Sequence, residues 1–155
     1  MLLGFKKQFA PKILDGSKKF TIRNPRKREP KIGEQLHMYT GLRTKHTQKI
    51  TSEHTLKGIQ LVDILIQKQV FSEGTFKGKW SLGISVDKRD LDSSELEYFV
   101  RCDGFKDMVN FIEYWIKASG DKKEYFQSGK RKPQLTIWTV DLKDLVMYHW
   151  TDLRF

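Results

Sequence analysis

The sequence predicts an α+β fold, a small mixed β-barrel of about six strands with helices flanking it. Two observations predict this class. Segments that alternate polar with apolar residues or carry β-branched runs, as strands do, recur through the first ninety residues. A pair of segments with helical spacing follows, and a strand-like segment then returns near the end. With about six strands and few long helices, a small barrel is the architecture that this order favours.

The first elements alternate between strand and turn signals. Residues 2–9 predict a strand, and Pro11 suits the first turn of a short helix that ends at Gly16. Residues 19–23 predict a second strand, because polar and apolar residues alternate there. A loop with several basic residues follows, at 24–34. The further predicted strands are residues 34–41, 58–71, 79–87, 134–142 and 145–150.

Two helices are predicted late in the chain. The first begins at an N-cap, Asp92 or Ser93, and ends near Gly104. The second spans 106–120 and carries one apolar stripe that includes Trp115. Two polar segments, 43–56 and 121–133, are predicted to be exposed loops or insertions. The strand at 58–71 is long enough to bend or to carry a bulge.

Length and composition indicate one domain over residues 1–155. A single cysteine, Cys102, allows neither an internal disulfide nor a cysteine-based zinc site, and it fits a reducing compartment. No segment is apolar for long enough to cross a membrane, and the N-terminus lacks the apolar core of a signal peptide, so we expect a cytoplasmic protein. The net charge of +10 favours polyanionic partners such as RNA, although a basic protein without such a partner has the same composition.

The segment GSKKFTIR combines a glycine turn with an amine and a hydroxyl. Strict alternation places Lys18 and Thr21 on opposite faces of the strand, whereas a Lys18 still in the turn can fold back beside Thr21. A lysine whose pKa is lowered by burial can then activate a threonine hydroxyl. The alternative is that both side chains lie on a solvated strand face without a function.

For the other candidate residues, too, a functional interpretation stands beside a purely structural one. Asp103 either caps a helix or directs a carboxylate into a pocket. Basic residues of the 24–34 loop can bind phosphates, with aromatic side chains nearby to stack on bases, or they form a solvated charge run. The residues concerned are Arg26, Lys27 and Arg28 for phosphate, and Tyr39 and Trp138 for stacking.

The sequence predicts neither a metal nor a cofactor. Its four histidines lie far apart and lack metal-ligand spacing. It contains no phosphate-binding glycine loop, no nucleophile elbow and no dinucleotide-binding fingerprint.

Three motifs, in order, resemble the ASCH domain of the PUA-like superfamily. The first is the Gly-x-Lys-x-x-Thr-x-Arg signature, which starts at Gly16 and ends at Arg23. The second is the Lys-x-Gly-Glu turn at 31–34, and the third is the Asp-Gly-Phe at 103–105. The resemblance covers most of the chain, from about residue 5 to residue 142.

The resemblance implies a PUA-like barrel that binds RNA or a modified nucleobase in a cleft lined by the signature. One ASCH branch removes the acetyl group from N4-acetylcytidine with a lysine, a threonine and a glutamate. Those positions correspond to Lys18, Thr21 and Asp103, so this chain has the shorter aspartate in place of glutamate. A further ASCH protein is a ribonuclease, which adds metal-independent RNA cleavage as a third expectation. The resemblance leaves open whether the cleft binds or also catalyses.

Overall fold

The computed structural model describes residues 1–71, 80–119 and 135–155, with the backbone alone at 69–71 and 135–138. It is a mixed α+β fold with two sheets and three short helices, as the sequence predicts at the level of class. The helices are α1 (Ala10–Leu14), α2 (Ser93–Cys102) and α3 (Met108–Ser119). The strands are β1 (Leu2–Phe5), β2 (Phe20–Arg23), β3 (His37–Thr40), β4 (Gln48–Thr51), β5 (Gly58–Phe71), β6 (Trp80–Val86), β7 (Arg89–Asp90) and β8 (Leu135–His149).

The strands form one sheet of three and one of five. The smaller sheet has the order β1-β3-β4, with β1 parallel to β3. The larger has the order β2-β8-β5-β6-β7 and is antiparallel throughout. Strands β1 and β2 are therefore edge strands of different sheets. The described residues contain eight strands where about six were expected, and a closed barrel is not confirmed.

Arginine side chains connect these two edge strands. Arg23, at the end of β2, donates from Nη2 to the carbonyl oxygen of Gly4 on β1 at 2.6 Å. Arg26 donates from Nη2 to the carbonyl oxygen of Leu2, also on β1, at 2.7 Å. The two guanidinium groups thus satisfy backbone acceptors that an edge strand leaves unpaired.

The two longest strands, β5 and β8, pair along most of their length. The expected bulge in β5 is confirmed by a register shift between Val62 and Ile64. Residues 134–142 and 145–150 were expected as two strands, but β8 runs continuously from Leu135 to His149. The chain stays in the sheet because Asp144 adopts a positive φ of 55° and its amide donates to Asp63 Oδ1 at 2.8 Å.

Two other expectations need correction. The strand predicted over 2–9 ends at Phe5, since a single 3-10 turn at Lys7–Phe9 directs Phe9 into the core. The polar segment 43–56 is not only a loop, because β4 lies within it and pairs with β3. The second expected insertion, 121–133, lies outside the described residues, as does Gly120.

Helix α2 begins as the sequence predicts. Asp92 is the N-cap and forms a reciprocal capping box with Glu95. The apolar face of α2 contacts β2, where the rings of Phe99 and Phe20 lie 4.9 Å apart. His149 is fully buried beside Phe20, and burial, with Arg154 nearby, lowers its pKa to about 4. Its imidazole is therefore neutral at pH 7. Among the described residues, no helix combines the length and apolar composition that a membrane crossing requires.

Candidate functional site

A cleft of about 330 Å³ lies between the edges of β1 and β2 and below the turn that joins α2 to α3. We call it the Lys18 cleft. Its polar lining contains Lys18, Thr21, Arg23 and Asp103, four of the residues singled out in the sequence. Segments that are far apart in the chain therefore meet at the seam between the two sheets.

Lys18 and Asp103 form a buried ion pair on the floor of the Lys18 cleft. Lys18 Nζ lies 2.5 Å from Asp103 Oδ1 and also donates to the Asp103 carbonyl oxygen. The residues are only 2% and 4% exposed. An ion pair removed from water so completely is expensive to form, and it persists only with close geometry and additional hydrogen bonds. Such a pair is therefore a feature that calls for a functional explanation.

The end of α2 holds this pair in place. Asp103 is the C-cap residue of α2, so its carboxylate starts from a fixed backbone position. The Lys19 amide donates to the Cys102 carbonyl oxygen at 2.8 Å, which ties the segment before β2 to the end of the helix. Lys12 Nζ donates to the Gly104 carbonyl oxygen at 2.6 Å. Two ammonium groups thus lie at the carbonyl end of α2, where the helix dipole favours cations.

Gly104 makes the close approach of Lys18 possible. Its φ is +87°, a conformation that glycine adopts without strain. A Cβ at this position would lie 3.2 Å from Lys18 Cδ and 3.3 Å from Phe9 Cδ1. The Asp-Gly turn is thus both a helix cap and a site element, and the two alternatives drawn from sequence are not exclusive.

Burial shifts the two pKa values towards each other. Desolvation lowers the pKa of Lys18, with Asp103 opposing that change. Desolvation likewise raises the pKa of Asp103, opposed by Lys18. The charged pair and the neutral pair, an amine beside a carboxylic acid, are therefore closer in free energy than in water. The pair therefore places a proton donor and a proton acceptor side by side in the cleft, which suits acid–base chemistry.

Thr21 lines the same cleft as Lys18. It is 6% exposed and lies on β2 opposite Tyr148 of β8. Both hydrogen bonds of the Lys18 ammonium go to Asp103, and within the described part of the chain none links it to the Thr21 hydroxyl. Lys18 precedes β2, so its position in the turn lets its side chain reach the same cleft as Thr21.

Arg23 forms one side of the cleft. Its guanidinium lies 5.0 Å from the centroid of the Phe5 ring, while Nη2 is held by Gly4. Its Nε is buried without a hydrogen-bond partner among the described residues, and so is Nε1 of Trp115. Both N–H groups belong to residues that line the cleft, and a buried hydrogen bond that is not made is costly.

Aromatic rings form the opposite wall. The rings of Phe9 and Phe105 lie 5.3 Å apart, and those of Phe105 and Tyr114 lie 5.1 Å apart. Lys6 Nζ lies 4.2 Å from the Tyr114 ring centroid, and Lys18 Nζ lies 4.6 Å from that of Phe9. A cluster of rings next to ammonium groups can take up a flat, polar ligand.

The other predicted residues whose side chains are described do not line this cleft. Gly16 has a φ of +77° in the exposed turn that precedes Lys18. Tyr39 is half-buried on β3 and is not part of the lining. The backbone of Trp138 lies in β8, but its side chain is outside the described residues. Arg26, Lys27 and Arg28 are exposed on the loop after β2.

Most of the aromatic wall lies outside the site residues that the sequence predicts. The sequence predicts Trp115 as part of an apolar helical stripe and gives no role to Tyr114. Both lie at the cleft because α3 begins soon after Asp103. The available signal was the sequence EYW one helical turn beyond Phe111, which places the two rings near the predicted Asp-Gly-Phe turn.

Comparisons with protein-family models, with curated proteins and with solved structures give no significant match to this chain.

Proposed function

We propose that this chain is an ASCH-type protein of the PUA-like superfamily, and that the Lys18 cleft binds a nucleobase of RNA. The observation that carries the proposal is the buried Lys18–Asp103 pair on the floor of an aromatic cleft. The motifs that resemble the family supply Lys18, Thr21, Arg23 and Asp103, and all four line that cleft.

The size and lining of the cleft support a base as the ligand. A volume of about 330 Å³ is at the lower end of the range for small-molecule pockets, roughly 300–1,000 Å³, and suits one nucleoside. Tyr114 and Trp115 add aromatic rings to the lining, and proteins commonly hold unpaired bases by stacking on such rings. Arg23 adds a guanidinium group to the lining, and such groups donate to the acceptor atoms of bases. The net charge of +10 supports a phosphate-bearing partner.

An amidohydrolase acting on N4-acetylcytidine is a second candidate, favoured by the shifted pKa values of Lys18 and Asp103. Lys18 first passes a proton to Asp103, and the neutral amine then takes the proton of the Thr21 hydroxyl, whose oxygen attacks the acetyl carbonyl carbon. The C–N bond breaks, and the proton passes to the departing amino group of cytidine. Water then hydrolyses the acetyl-threonine ester, releasing acetate and restoring Thr21. Arg23 stabilises the developing oxyanion.

The binding proposal is tested with a labelled single-stranded RNA and fluorescence anisotropy. We expect wild-type affinity to fall as salt rises, because bound phosphates release counterions. Tyr114→Leu removes a stacking ring and weakens binding by about 1–3 kcal/mol, roughly 5- to 150-fold. Tyr98→Leu is the matched control, because Tyr98 is an exposed helical tyrosine outside the cleft lining. Equal affinities of the two variants would contradict base binding in the Lys18 cleft.

The same protein samples decide between binding and catalysis. Incubation with N4-acetylcytidine, followed by mass spectrometry, detects cytidine and acetate if the second candidate is correct. Thr21→Val has nearly the same shape without the hydroxyl, so turnover is lost while nucleoside binding persists. Cytidine formation by Thr21→Val at the wild-type rate would exclude Thr21 as the nucleophile.

A further inference from the structure

A second groove lies beside the Lys18 cleft, at the start of β1. It has a volume of about 360 Å³ and we call it the arginine groove. Its lining contains Met1, Leu2, Arg26, Arg28, Pro30 and Glu34. None of these residues lines the Lys18 cleft, so the two are distinct cavities.

Strand β1 connects the two cavities. Arg23, in the Lys18 cleft, is anchored on the Gly4 carbonyl oxygen, and Arg26, in the arginine groove, is anchored on that of Leu2. Leu2 and Gly4 are two residues apart on one strand, a separation of about 6.6 Å at the usual rise per residue. That separation is of the order of one nucleotide step in an extended strand.

The two arginines are close enough to repel each other. Burial lowers the pKa of Arg23, and the charge of Arg26 contributes to the lowering. Neither guanidinium forms an ion pair within the described residues. Two cations fixed side by side on one edge cost free energy that a bound anion would recover. A phosphate is suited to this role, because guanidinium groups bind it with two parallel hydrogen bonds.

The carboxylate of Glu34, which lines the arginine groove, already has hydrogen-bond and ion-pair partners. Glu34 accepts from the Lys31 amide at 3.2 Å, and Arg28 Nη2 lies 3.6 Å from it. The hydrogen bond from the Lys31 amide is the largest cause that lowers the pKa of Glu34. The N-terminal amino group, whose nitrogen lies 3.2 Å from Glu34 Oε1, and Arg28 lower it further. The Arg28 side chain remains 79% exposed, so most of its donors are free for a ligand. The groove therefore has a positive excess.

We propose that the arginine groove is a phosphate subsite of the Lys18 cleft, and that the ligand is a nucleotide within a chain rather than a free nucleoside. The inference rests on the proposed function, because it assumes a base in the Lys18 cleft. In this arrangement Arg26 and Arg28 bind a phosphate adjoining the bound base. Lys27 and Lys31, both exposed on the same loop, extend the positive surface along the strand.

Calorimetric titration with three probes tests the subsite: cytidine, cytidine 3′-monophosphate and a cytidine trinucleotide. We expect the wild type to bind the phosphorylated probes more tightly than cytidine. Arg28→Ala should weaken only the phosphorylated probes, by roughly three- to tenfold, since it removes a charge-assisted hydrogen bond at an exposed position. The slope of log affinity against log salt for the trinucleotide should fall by about 0.7 for one lost phosphate contact.

Arg101→Ala is the matched control. The Arg101 side chain is 70% exposed, and its Nη2 lies 3.9 Å from Glu97 Oε2. This surface ion pair is similar in length to that of Arg28 with Glu34. The Arg101→Ala variant should leave all three affinities unchanged. Equal wild-type affinity for cytidine and its phosphate would overturn the subsite alone, as would equal losses in the Arg28 and Arg101 variants. Failure of all three probes to bind at low salt would overturn the proposed function together with the subsite.

Discussion

Replacing Asp103 with Asn lowers the free energy of unfolding by about 3 kcal/mol or more, because it leaves the buried Lys18 ammonium without its counter-charge. The side chain keeps its size, so packing loss contributes little. Asp152→Asn is the matched control: Asp152 Oδ2 lies 3.0 Å from Lys57 Nζ, but its side chain is 87% exposed. Exposed pairs of this kind contribute roughly 0–1 kcal/mol.

Urea unfolding followed by circular dichroism at several pH values measures both effects. In Asp103→Asn, burial lowers the folded-state pKa of Lys18 with no carboxylate to oppose it, whereas the unfolded lysine keeps its usual value of about 10.4. At pH values between the folded-state and the unfolded-state pKa of Lys18, the unfolded state binds more protons than the folded state. The free energy of unfolding therefore rises with pH in this range. The deficit of the variant should therefore shrink from pH 7 towards pH 10. Equal losses in Asp103→Asn and Asp152→Asn, or a deficit independent of pH, would contradict a buried charged pair.

The second large loss of stability is expected for Gly104→Ala, and Gly16→Ala is its matched control. Both glycines have positive φ, +87° and +77°, so each alanine costs about 1–2 kcal/mol of backbone strain. A Cβ at Gly16 meets nothing within 4 Å, whereas a Cβ at Gly104 crowds Lys18 and Phe9. Overpacking of this kind adds about 1–3 kcal/mol.

The two variants also differ in function. Gly104→Ala should displace Lys18 from Asp103 and weaken ligand binding, while Gly16→Ala should leave ligand affinity unchanged. Denaturant unfolding and RNA anisotropy on the same preparations measure the two quantities. If both variants lose the same stability and neither changes affinity, Gly104 serves only as a helix cap.

Much of the secondary structure could be predicted from local pattern. The alternation in residues 58–71 and the N-cap at Asp92 depend on nearby residues alone, and β5 and α2 match them closely. Strand β4 was missed because three of its four residues are polar, as an edge strand permits. The continuity of β8 depends on a positive φ at Asp144, which is held from outside the segment by Asp63.

The part of the candidate site that could be predicted is the part whose residues lie close together in the sequence. Lys18, Thr21 and Arg23 lie within one short motif, and the resemblance adds Asp103. Their meeting depends on the hydrogen bond between Lys19 and Cys102, a contact between distant segments that no local pattern encodes. The aromatic wall was missed because a helical stripe has the same spacing whether it faces a core or a cleft.

An NMR titration tests the central claim that a base binds in the Lys18 cleft. Trp115 lines the cleft, and its buried indole N–H has no partner among the described residues, so its resonance reports on changes next to the cleft. Trp80, on β6, is not part of the cleft lining and serves as the internal control. On addition of the cytidine trinucleotide to ¹⁵N-labelled protein at low salt, we predict saturable shifts of the Trp115 indole and the Thr21 amide, with Trp80 unchanged. Unchanged Trp115 and Thr21 resonances at millimolar trinucleotide would contradict the claim.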